Sequence, residues 1–189
     1  MAGSWCADEI WKIALSEVEA TKLEARHDRN RTLIRDERHL AKLENDIQLI
    51  KEARHIVEMY DFPDPPLGPE GELDTTQVSQ KVLKLHDILY SMFGEGGDQK
   101  CIIFVTERYT AHALARLLKH TGPPEMRLGV LIGRKTGKVG EENVSFRQQT
   151  VIVNRFRNGR LNCLLATSVA EEGLDIPDCN QIIRLVYTS

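Results

Sequence analysis

The sequence predicts an α/β protein: a parallel sheet with crossover helices, preceded by a small all-helical segment. Three observations predict it. From Lys100 onward, short apolar runs alternate with amphipathic stretches, the pattern of strands buried on both faces and joined through helices. From Trp5 to Tyr60 there is no proline or glycine, and apolar residues recur at helical spacing. Between these two grammars lies Phe62–Gly71, whose four prolines and two glycines cannot be helix interior. The expected division is therefore 1–62 helical, 63–74 connector and 75–189 sheet domain.

In the helical part, Ile10, Ile13, Ala14, Val18 and Leu23 form one periodic run, and Ile34, Leu40, Leu43, Ile47, Ile50 and Ile56 a second. The spacing predicts two long helices, or one interrupted helix, each packed by one face. The polar stretch between them carries Arg26, Arg29, Arg31, Arg35 and Arg38, either a solvated face or a surface for RNA or a partner. After the connector, Val78, Val82, Leu85, Leu89 and Phe93 predict a helix from Thr75 or Thr76 to Phe93, ended by Gly94-Glu95-Gly96-Gly97.

Strands are then expected over 101–105, 128–132, 162–166 and 181–186. Helices are expected from Ala111 to His120, stopped by Gly122-Pro123-Pro124, and from Ser145 to Arg157, with Ser145 as N-cap and Asn158-Gly159 as the stop. Consecutive strands joined by helices and short turns run parallel.

The chain of 189 residues, 41% hydrophobic and 28% charged, affords a packed core. A net charge of -3 excludes a generally basic nucleic-acid-coating protein. Cys6, Cys101, Cys163 and Cys179 form no C-x-x-C pair and predict reduced thiols in an intracellular protein, cytoplasmic or nuclear, with no metal site. No run of eighteen apolar residues predicts a membrane span, and Met1-Ala2-Gly3-Ser4 does not begin a signal peptide.

Ligands of a parallel sheet bind outside the carboxyl ends of its strands. The loops there begin Thr106-Glu107-Arg108, Gly133-Arg134-Lys135 and Thr167-Ser168-Val169, all with hydroxyls, glycines or cations that suit a phosphodiester backbone. Residues 127–160 hold eight basic residues against two acids, whereas residues 1–62 hold ten against thirteen. The sheet domain thus offers the anion-binding surface. GRKTGK at 133–138 is one residue short of a phosphate loop, and Val139 stands where a magnesium-binding hydroxyl belongs. No acidic run follows a strand to hold magnesium, so a complete nucleotide site is not expected. Glu171 and Glu172 are adjacent and point apart, which leaves Asp175 as the better hydrogen-bond acceptor for a ribose hydroxyl.

The stretches Ile102–Ala111 and Leu164–Pro177 resemble motifs IV and V of a superfamily-two helicase. With Asp178-Cys179-Asn180 they resemble the subgroup shared by Dicer and the RIG-I-like receptors. Glu107–Ala111 and Trp5-Cys6-Ala7-Asp8 lean toward fungal Dicer-like proteins. The resemblance implies that residues from about Thr75 form the second RecA-like lobe of a double-stranded-RNA motor, and that residues up to about Phe62 end its helical insertion. It implies RNA contacts from Arg108, Gly133, Arg134, Thr167, Ser168 and Val169, and a nucleotide-cleft position for Gly173 and Asp175. It also implies ATP and magnesium in an intact parent, a first RecA-like lobe as intramolecular partner, and a fragment inactive alone. Motif VI, the first lobe and any ribonuclease domain lie outside these residues, so the chain is read as a piece of a longer protein. Two other readings stay open: a RIG-I-like sensor fragment, and a helical docking module for a double-stranded-RNA-binding protein.

Overall fold

The computed structural model describes residues 3–16, 21, 24–25, 27–29, 37–60, 62, 64–94, 99–132, 146–167 and 178–185. Their elements are α1 (Ser4–Ala14), α2 (Glu37–Glu58), α3 (Gln80–Gly94), β1 (Cys101–Val105), α4 (Arg108–Thr121), β2 (Leu128–Leu131), α5 (Phe146–Arg157), β3 (Cys163–Thr167) and β4 (Gln181–Leu185). The four strands form one parallel sheet in the order β2-β3-β1-β4, which bears out the expected α/β class with helices ahead of the sheet. No helix among the described residues is long and apolar enough to cross a membrane.

The two central strands, β1 and β3, are buried along their whole length, as their unbroken apolar runs require. Alternate residues serve opposite faces. Cys101, Ile103, Val105, Cys163 and Leu165 pack with α3 and α4. Ile102, Phe104, Leu164 and Ala166 pack against Val153 and Phe156 of α5. On the exposed strand β4, Arg184 keeps its guanidinium 4.8 Å from the centre of the Phe104 ring.

α3 starts later than the apolar stripe suggests. Asp74 accepts hydrogen bonds from the backbone N–H and the hydroxyl of Thr76 (2.8 and 2.6 Å), fixing a turn where the helix was expected to begin. Ser79 Oγ then accepts from Val82 N–H at 3.3 Å and caps the helix. In α2 the stripe is Leu40, Leu43, Ile47, Ile50 and Val57, all half-buried, whereas Ile56 is turned outward and 56% exposed.

The packing of α1 crosses the expected boundary at residue 62. Trp5 and Cys6 lie in the same core as Val78, Leu85, Leu89 and Leu117. The Trp5 N–H donates to Gln77 O at 3.0 Å. Gly3 permits this approach: at φ 85 it sits where a Cβ would come within 2.6 Å of the Val78 Cα.

All four cysteines are free thiols, as expected. Burial pushes Cys6 up to about 11, with the nearby Glu9 carboxylate adding to the shift.

Candidate nucleic-acid interface

The sheet brings the roots of the three sequence-predicted loops to one edge. Val105 is the register partner of Thr167, and Leu131 of Ala166, so the carboxyl ends of β2, β3 and β1 stand side by side. Strand spacing sets neighbouring loops about 5 Å apart at their roots. That adjacency of β1 and β3 puts the segment after Val105 next to Thr167, although sixty-two residues separate them in the chain.

Arg108 opens α4 and is half-buried, one residue after the extended Glu107, whose carbonyl accepts from Ala111 N–H at 3.1 Å. Thr106 and Glu107 are exposed on the same rim. Thr167 ends β3 and is 2% exposed, so its hydroxyl faces the interior and not open solvent. Gly133, Arg134, Ser168, Val169, Gly173 and Asp175 lie outside the described residues.

Two polar side chains that the sequence reading passed over organise this sheet. Gln149, buried on the inner face of α5, donates from Nε2 to Ile132 O at 2.8 Å and ties the end of β2 to the helix. Its position one turn before Val153 and two before Phe156 on the apolar stripe was the available signal. Asn162, also buried, accepts the Arg127 N–H at 2.7 Å and donates to Glu125 O at 3.0 Å, fixing the opposite edge. Gln149→Leu keeps the helix but leaves the Ile132 carbonyl without its donor. The expected loss is about 1–2 kcal/mol of unfolding free energy, read from the urea midpoint; an unchanged midpoint would show that this bond does not hold the end of β2.

A parallel sheet with flanking helices, its carboxyl edge holding the roots of the motif IV-like and motif V-like segments, fits a helicase lobe. The model of the helicase conserved C-terminal domain matches residues 80–188, and the chain belongs to that family. Within it, the chain is similar to Dicer-like protein 1 of Aspergillus clavatus, at 45% identity over 184 residues, 96% of this chain and 11% of that protein. It is similar to Dicer-like protein 1 of Aspergillus fumigatus at 44% over 187 residues, with the same 96% and 11% coverage. The chain thus spans about a ninth of these relatives, and it corresponds to part of their helicase region. Among solved structures, the Pyrococcus furiosus Hef helicase domain aligns with a TM-score of 0.45 at 22% identity, over 87% of this chain and 28% of that one.

Proposed function

We propose that this chain is part of the double-stranded-RNA motor of a Dicer-like endoribonuclease acting in RNA silencing and antiviral defence. In this reading residues 75–189 belong to the second RecA-like lobe and residues 1–62 to its helical insertion, joined by the connector at 63–74. The observation that supports it best is the side-by-side placement of the β1 and β3 carboxyl ends, which are the roots of the motif IV and motif V segments.

Arg108 supplies a cation at that edge, and Gly133, Arg134, Thr167, Ser168 and Val169 supply backbone N–H groups, a second cation and hydroxyls to a phosphodiester backbone. Such contacts position RNA without reading its sequence. The buried Thr167 hydroxyl joins them only if the cover over it shifts on binding. Gly173 and Asp175 form one wall of a nucleotide cleft. The other wall, with its phosphate loop and magnesium-holding acids, belongs to the first lobe, so ATP and magnesium act in the parent and not in this chain alone. When bound, ATP supplies the free-energy difference between open and closed lobes; the residues here grip or release RNA differently in the two states.

The 189-residue chain is expected to bind double-stranded RNA weakly and to hydrolyse ATP no faster than a buffer blank. In fluorescence anisotropy across a salt series, Arg134→Ala reduces the log–log salt slope by about one and weakens all sequences alike. Arg108→Ala does the same. Slopes unchanged in both variants, or absence of RNA binding by the wild type, would remove the assignment.

A further inference from the structure

Of the described basic residues between Arg127 and Arg160, Arg147 lies in the first turn of α5, toward the carboxyl edge of the sheet, and the others lie toward the amino edge. Arg134, Lys135 and Lys138 follow β2 at its carboxyl end in the chain. Arg127 precedes β2 at its amino end. α5 runs back across the sheet, from Gln149 beside Ile132 to Leu161 beside the start of β3, so it delivers Arg155, Arg157 and Arg160 to the amino edge. Lys100, just before β1, joins them there. Asn162 fixes the Arg127 backbone and Asn180 the Lys100 backbone, each through a 2.7 Å bond to the N–H. Two strand spacings, about 10 Å, separate the backbones of Arg127 and Lys100 along the rim.

Part of this charge has a structural use. α5 ends with Gly159 at φ 68, and the N–H groups of Arg160 and Gly159 return to the carbonyls of Arg155 (2.8 Å) and Phe156 (3.1 Å). Lys100 Nζ donates to Arg157 O at 3.1 Å, and Arg127 Nη2 to Gly159 O at 3.3 Å, satisfying the last carbonyls and the negative end of the helix dipole. Arg155 and Arg160 lie beyond that use. Both are exposed, and neither makes a side-chain hydrogen bond or ion pair among the described residues.

The surroundings select the ligand. Residues 146–160 contain no carboxylate, and on the rim the described acids are the exposed Glu125 and Asp178. Asn154, Asn158 and Gly159 interleave with the arginines; Val153 and Phe156 are buried, and Val151, one turn before Arg155, is 49% exposed. An acidic protein surface would need a large apolar anchor at its centre, and the exposed apolar side chain beside these arginines is the small Val151. A nucleic-acid backbone needs none: its interfaces are polar, wet and cationic, and guanidinium forks match phosphate oxygens. We infer that the amino edge of the sheet, through Arg155 and Arg160 beside Lys100 and Arg127, is a second, sequence-independent contact for the RNA phosphodiester backbone. It is separate from the carboxyl-edge contact and rests on the proposed RNA-handling role.

The test is the salt dependence of double-stranded-RNA binding by the 189-residue chain, with a duplex long enough to reach both edges. Arg155→Gln/Arg160→Gln is expected to make the slope shallower by about two, and Arg155→Lys/Arg160→Lys to restore it. Neither arginine has a side-chain partner to lose among the described residues, and a thermal melt checks that the fold is kept. A slope unchanged by the Gln pair, while Arg134→Ala still lowers it, would overturn the amino-edge contact and leave the carboxyl-edge one standing. Loss of polyglutamate binding in the Gln pair with RNA binding intact would reassign the surface to an acidic protein and also overturn it. Failure of the wild type to bind RNA would remove both contacts.

Discussion

Trp5→Ala is expected to lower the unfolding free energy by about 3–5 kcal/mol. Trp5 is 1% exposed, and its indole fills the core shared by α1, α3 and α4. The truncation removes a large apolar surface and leaves a cavity in the core that Trp5 shares with Val78, Val82 and Leu85, of which Val82 and Leu85 are held by α3 and cannot collapse far into it. The backbone anchors, Trp5 N–H to Gln77 O and Ala7 N–H to Gly3 O, remain. The loss therefore reports packing and not helix formation. Trp11 on the same helix is 56% exposed and provides the control. Trp11→Ala should stay within about 0.5 kcal/mol of wild type. Urea denaturation followed by far-ultraviolet circular dichroism separates the two. Equal, small losses in both variants would show that α1 is an appendage of the sheet domain and not part of its core.

That contrast marks where the sequence stopped being informative. Helical spacing identified α1, because apolar residues three and four apart share a face whatever they pack against. It carried no record of the partner: Trp5 and Cys6 share a core with Val78 and Leu117, more than seventy residues on. The strands were legible for a related reason: residues 101–105 and 163–166 are apolar without alternation because both of their faces are covered. Their order in the sheet was not legible. Parallel strands constrain direction and handedness, but the insertion of β3 between β2 and β1 comes from long-range pairing, and this is what sets Thr167 beside the loop bearing Arg108. Gln149 and Asn162 escaped notice because a buried amide acts through one carbonyl or N–H far away in sequence. The splitting of the basic window between two edges was equally hidden, since charge counted along a chain ignores the return path of α5.

The second large effect is electrostatic. Glu9 on α1 is 2% exposed and bonded by Arg116 Nη1 of α4 at 2.7 Å; the other arm of the same guanidinium pairs with Asp64 of the connector. One arginine therefore ties together α1, α4 and the segment between the two halves of the chain. Glu9 is held above its ordinary carboxylate range, chiefly by burial; Arg116 and Lys12 pull it back and Asp64 pushes it further up. A carboxyl raised in the folded state keeps its proton longer than in the unfolded chain. Its contribution to stability is full below the unfolded value and is lost as pH rises through the folded one. Arg116→Ala removes the main opposing charge and a hydrogen bond, leaving a buried carboxylate beside Asp64. The expected cost at neutral pH is about 2–3 kcal/mol, below that of a fully buried pair because water reaches the half-exposed Arg116. The same variant should lose less at pH 4, where Glu9 is mostly protonated in the folded state and more than half protonated in the unfolded one. Glu9→Gln retains an acceptor for Arg116 without the buried charge, and should match or exceed wild-type stability at neutral pH with a flatter acid-side profile. Urea midpoints of the three proteins between pH 4 and 8 decide the matter: an Arg116→Ala penalty that stays constant across that range would mean that Glu9 does not carry the charge that α1 buries.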